Sequence, residues 1–178
     1  MVRFLASLLI GLAAMPAMAL ASAKLVVFPF ELIDATQDPG AMGLGAGGGL
    51  STGPKPDEVR RLRLITDSLR QRITDDGRYG LLDEQVSAAE VAEKGPIHKC
   101  NGCEDDIAKK AGADLALVAT VEKLSDLLFN FNVYLRDVAQ QKLRTVMSTT
   151  VQGSTDEAWL RGIRYLAERK LLVPGEAR

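Results

Sequence analysis

Residues 97–103, Ile97-His98-Lys99-Cys100-Asn101-Gly102-Cys103, hold the chain's only histidine and both of its cysteines. A Cys-x-x-Cys pair suits three kinds of chemistry. Thiol-disulfide exchange would use Cys100 as the attacking thiol and Cys103 as the resolving one, and needs an accessible thiolate stabilised by cations or a helix N-terminus. Metal binding would draw on His98, Cys100 and Cys103, with Glu104 or Asp105 joining them. Structural zinc takes four ligands, however, and no second Cys/His pair exists in the chain. The third use is a disulfide that ties down a turn, which chain entropy rates at about 2 kcal/mol for so short a loop.

The residues that follow discriminate among these. Glu104, Asp105 and Asp106 oppose a neighbouring thiolate but suit the first turn of a helix, where the macrodipole favours negative charge. The sequence therefore predicts a Cys100–Cys103 disulfide. The redox pair and the metal site stay as alternatives, and no cofactor is called for. Covalent haem requires histidine directly after the second cysteine, and residue 104 is glutamate.

Other chemistry-bearing patterns are weaker. Gly43 to Gly48 satisfies GxGxxG spacing, but the motif stands well after the nearest strand and well before the next helix, so it fails as a dinucleotide fingerprint. Gly48 to Gly53 has phosphate-loop spacing, with Pro54 where the lysine belongs. A Ser-His-Asp arrangement would have to recruit His98 from a loop. The chain thus reads as non-enzymatic rather than as an enzyme. In "LLFNFNVYLRDV" (127–138), alternation predicts Leu127, Phe129, Phe131, Val133 and Leu135 on one face and Asn130, Asn132, Tyr134 and Arg136 on the other. If no helix covers it, the second face is a docking row for a protein or polar ligand, with Glu122, Arg144 and Thr150 beside it; the alternative is a merely solvated face.

The elements that must position these groups follow from period and punctuation. "KLVVFPFELID" reads as a strand with Pro29 marking an edge or bulge. A glycine-rich loop follows at about 35–55. Val59, Leu62, Ile65, Leu69 and Ile73 recur at helical spacing up to Asp76-Gly77. "RYGLLDE" is a short strand, "VSAAEVAE" one or two helical turns, and "EDDIAKKAG" a short helix ended by Gly112. Three strands then form an antiparallel meander with turns at Ser125-Asp126 and Ala139-Gln140-Gln141. A last helix opens on a capping box of Ser154 and Glu157. The order β-α-β-α-β-β-β-α predicts one two- or three-layer α/β domain with a mixed sheet over residues 24–178.

Residues 1–23 read as a secretory signal peptide: Arg3, an apolar run from Phe4, and alanines at 19, 21 and 23 as cleavage positions. A protein exported this way is periplasmic or secreted, is not inserted in a membrane after cleavage, and has cysteines in a disulfide-permissive compartment. The net charge of −1 lacks the basic excess that nucleic acid demands.

Two resemblances add to this reading. The strand "LVVFPFELID", the glycine-rich loop, "GRYGLLD" and "GADLALVATVEK" resemble the periplasmic domains at the N-terminus of the Tol-system translocation protein and in the curli-secretion lipoprotein. The combination of "VFPFELID", Cys-x-x-Cys ahead of "IAKKAGAD", "NVYLRDV" and "TDEAWLRGIRYL" is similar to a family of secreted bacterial proteins of unknown function. The second resemblance covers the whole exported chain and implies no activity; the first, with the exported single domain and the lack of a catalytic set, points to a non-enzymatic periplasmic accessory or adaptor protein whose partner is a periplasmic or envelope protein.

Overall fold

The computed structural model describes residues 22–37 and 53–173. The predicted leader up to residue 21, with the expected cleavage positions Ala19 and Ala21, and the GxGxxG stretch lie outside the described residues. The elements are β1 (Lys24–Val27), β2 (Glu31–Asp34), α1 (Pro56–Asp76), β3 (Gly80–Leu81), α2 (Gln85–Lys94), α3 (Cys103–Lys110), β4 (Leu115–Lys123), β5 (Leu128–Asp137), β6 (Lys142–Gln152) and α4 (Asp156–Leu166). They form a six-stranded mixed sheet in the order β3-β1-β4-β5-β6, with β2 pairing the far half of β4. β1, β2 and β3 run parallel to their neighbours, whereas β4, β5 and β6 make the antiparallel meander.

The predicted class holds, with two refinements. Pro29 divides the opening strand in two. Having no N–H, it cannot donate to a ladder, and the next donor, Phe30 N–H, leaves the sheet for Thr66 Oγ1 on α1 at 3.0 Å. Strand pairing resumes at Glu31 opposite Thr120. The helical stretch before the meander is two helices, α2 and α3, separated by a 3₁₀ turn at Ile97–Lys99.

β4 is nearly all apolar because helices lie on both sides of it. Leu115, Leu117, Ala119 and Val121 face the principal core under α1 and α4, while Ala116 and Val118 face a smaller one beneath α3 and the 3₁₀ turn. In the principal core, Trp159 of α4 is fully buried. It meets Phe129 and Phe131 edge-on, with centroids 5.1 and 5.4 Å away. One turn later α4 presses so close to the sheet that a Cβ on Gly162 would strike Val151 and crowd the Phe131 ring.

Two local expectations are corrected. Leu127 is exposed in the turn before β5 and does not join the inward row of Phe129, Phe131, Val133 and Leu135. The α4 cap is Thr155, whose hydroxyl accepts from Ala158 N–H at 3.2 Å, rather than Ser154.

Candidate functional site

The cysteine pair is built on a turn that needs glycine. Gly102, at φ 94°, is the N-cap of α3, and only glycine adopts that conformation without a steric penalty. The Cys100 and Cys103 sulfurs stand within disulfide-bonding reach of each other, with Cα atoms 5.6 Å apart. Both are half-buried against the smaller core. Upstream, the Glu31 carboxylate clamps the 3₁₀ turn, accepting from Ile97 N–H at 2.6 Å and His98 N–H at 2.8 Å. The same carboxylate lies 2.6 Å from His98 Nδ1; as it can only accept, Nδ1 is the donor. Downstream, Asp105 is buried and holds Arg136 of β5 through two bonds, one of 2.9 Å from Nε, with Glu104 at 3.3 Å from the same nitrogen. The bond to Asp105 raises the Arg136 guanidinium above its ordinary value against the opposing effect of burial.

This environment suits a clip. A Glu104 oxygen sits 3.7 Å from Cys100 Sγ, where a redox thiolate would want a cation. Oxygen, nitrogen or sulfur atoms able to share a metal within 4.8 Å of one another come from Cys100, Cys103 and Glu104; His98 is turned to Glu31 instead. Replacing both cysteines with serine is expected to lower the unfolding free energy by about 2 kcal/mol. The pair should equilibrate with glutathione and dithiothreitol at a potential below about −300 mV. A value between about −120 and −230 mV, the range of dedicated redox proteins, would reverse this assignment.

The four residues of the β5 row do share one face, but the helices divide it. Tyr134 packs against the smaller core, and Arg136 is pinned under α3. Asn130 and Asn132 lie beyond that cover. Asn130 Oδ1 accepts from Thr150 at 3.0 Å and Asn132 Oδ1 from Ser148 at 2.8 Å. Both asparagines are half-buried, and Glu122 stands opposite Asn130 on β4. Arg144 is exposed at the irregularity between Leu135 and Arg136, away from the open half.

Sequence reasoning missed a buried charge cluster on the other side of the molecule. Lys123, with a side chain only 5 % exposed, reaches Glu58 at 2.9 Å, Asp126 at 3.1 Å and Asp34 at 4.0 Å. Burial works to lower its amine, yet the bonds to Glu58 and Asp126 prevail and hold it above the ordinary lysine value. Asp34 ends β2 and Glu58 sits in the first turn of α1, so one lysine joins the two ends of the glycine-rich segment. A lysine closing a strand that is apolar through its first five residues was the available signal. The adjoining cleft of about 460 Å³ is lined by Lys55, Glu58, Arg61 and Asp126 among others. Its charges are spent on one another, with Lys55 on Asp126 at 3.4 Å and Arg61 on Asp57 at 3.9 Å.

Among the described residues no helix is long and apolar enough to cross a membrane. The family described as "Protein of unknown function (DUF2380)" matches residues 23–171. No curated protein matches the chain. Among solved structures, the LpoB C-terminal domain from Salmonella enterica is similar at 14 % identity and a TM-score of 0.51, over 76 % of this chain and 87 % of that one. The hypothetical protein CT253 from Chlamydia trachomatis is similar at 10 % identity and a TM-score of 0.50, over 83 % and 95 %. TolB from Acinetobacter baumannii is similar at 14 % identity and a TM-score of 0.43, over 82 % of this chain and 28 % of that one. For the LpoB domain and CT253 the likeness, at such identities, is one of fold.

Proposed function

The chain belongs to that family of proteins of unknown function, and we propose that it is a non-enzymatic accessory protein of the bacterial envelope, docking a periplasmic or envelope protein on its sheet. The observation that carries this reading is the half-covered face. α3 and the 3₁₀ turn seal one end of the sheet, while Asn130, Asn132, Ser148 and Thr150 form an ordered polar row at the other. Cross-strand hydrogen bonds hold these side chains in place, so a partner pays little ordering entropy to use them. The leader-like N-terminus supports export to the periplasm. The cysteine pair fits the same reading, since it fixes the turn from which α3 reaches Arg136.

The test is site-specific photocrosslinking in the periplasm. A crosslinker at Asn132 is expected to give one discrete protein adduct that weakens when Asn130 is replaced by alanine. The same crosslinker at Arg161, exposed on α4, is expected to give none. Failure of both positions, or equal capture by both, would remove the sheet face as the docking surface.

A further inference from the structure

The sheet ends on a strand that is long, paired on one side only, and carries two exposed apolar side chains, Leu143 and Val146, among polar ones. β6 runs for 11 residues and, among the described residues, bonds to β5 alone. Gly153 N–H donates to the Leu127 carbonyl directly opposite it. Because bonded and non-bonded pairs alternate along an antiparallel ladder, Val151, Thr149 and Met147 spend their backbone groups on β5. Val146, Ser148 and Thr150 therefore turn N–H and C=O outward. Natural edges of this length are usually shortened, covered or guarded. Here Val146 is 51 % and Leu143 48 % exposed.

From this edge we propose that β6 is an acceptor strand: an extended segment of a protein partner, apolar at alternate positions and acidic near one end, adds to the sheet alongside Val146–Thr150. The proposal rests on the partner-docking reading above and names how the partner is held. Backbone bonds to the outward groups would supply affinity, and side-chain pockets specificity. The charge pattern selects the occupant. The only charged residues in β6 are Lys142 and Arg144, both basic and exposed. A second copy of β6 laid antiparallel about Ser148 would set Arg144 against Gln152 and Val146 against Thr150. Both cations would go unanswered and the apolar patch unfilled. An acidic, valine-rich strand answers both.

The probe is a synthetic nine-residue peptide alternating valine with threonine and carrying two glutamates at one end. A control peptide carries lysines in their place. Added to the full protein, the acidic peptide is expected to slow amide hydrogen exchange at Val146, Ser148 and Thr150 and to bind about tenfold more tightly than the control, as two charge pairs at an interface rim would allow. Lys142→Glu with Arg144→Glu, at exposed positions, should reverse the preference between the two peptides. Ser148→Pro removes one outward donor from an edge position that tolerates it and should abolish the protection. Peptides that leave exchange at these amides unchanged would overturn the proposal, as would a preference that survives the charge reversal. Concentration-dependent protection without peptide would overturn it in favour of a second copy. Loss of peptide binding while the Asn132 crosslink persists would condemn the acceptor strand and leave the docking face standing. Loss of the crosslink as well would condemn both.

Discussion

Replacing Lys123 with methionine is expected to lower the unfolding free energy by about 3 kcal/mol, read from urea denaturation at pH 7. The side chain is nearly as deep as a core residue and Glu58 beside it is 5 % exposed. Removing one partner of such a pair strands the other as an uncompensated buried charge. Methionine keeps most of the volume, so the loss reports charge rather than packing. Adding Glu58→Gln to Lys123→Met removes the stranded charge and should restore about 1 kcal/mol, whereas the two changes would simply add if the groups were independent. A loss below about 0.5 kcal/mol, typical of a surface substitution, would show that the cluster does not join β2 to α1. The same lysine gives a pH signature. Its folded value lies above the ordinary one, so its contribution is fully present below about pH 10.4 and disappears as the pH rises through the folded value. Above that point the stability of the native chain should fall more steeply than that of Lys123→Met.

Trp159→Ala is expected to cost about 4 kcal/mol, within the range for deleting a buried aromatic, and to lower Tm by about 10 °C. Its ring supports Phe129 and Phe131 from the core side, and these alternate along β5 with Asn130 and Asn132. Loosening them should therefore also weaken capture through Asn132. Trp159→Phe separates packing from polarity. Among the described residues the buried indole Nε1 has no hydrogen-bond partner, so phenylalanine keeps an edge-on ring while deleting a desolvated donor. It should cost about 1 kcal/mol. A cost equal to that of alanine would mean that the indole's full size, rather than ring contact, holds β5.

The acid limb offers a smaller check on how α4 is held. The bond from Arg60 depresses the Asp156 carboxyl to about 2, and Arg61 lies 3.1 Å from the same group. A depressed carboxyl lends its stability above the unfolded value and loses it as the pH falls toward 2, so the α1–α4 contact should hold down to the foot of the acid transition.

Much of the fold was legible because its causes are local. The helical recurrence from Leu62 to Ile73, the glycine at 77 taking φ 71°, and the turns at Ser125-Asp126 and Ala139–Gln141 each follow from a few neighbouring residues. The unbroken apolar run Leu115–Ala119 of β4 marks burial on both faces. The cysteine spacing with three following acids led to a clip at a helix start. The Asn130–Arg136 row was legible as one face of a strand.

What could not be read depends on partners distant in sequence. The split at Pro29 into two strands on β4 requires Thr66, 36 residues away, to take the Phe30 N–H. The clamp on His98 needs Glu31, 67 residues back, and the anchor for Lys123 needs Glu58, 65 residues back. Alternation put Leu127 inward because it carries no information about where a strand begins. Spacing alone thus determined most of the elements and the shared face of the polar row, and it brought the two cysteines to the start of a helix. Tertiary structure decided that α3 covers Arg136 and leaves Asn130 and Asn132 open, because cover depends on where a helix lands on the sheet, set by long-range ion pairs and apolar contacts that no local pattern encodes.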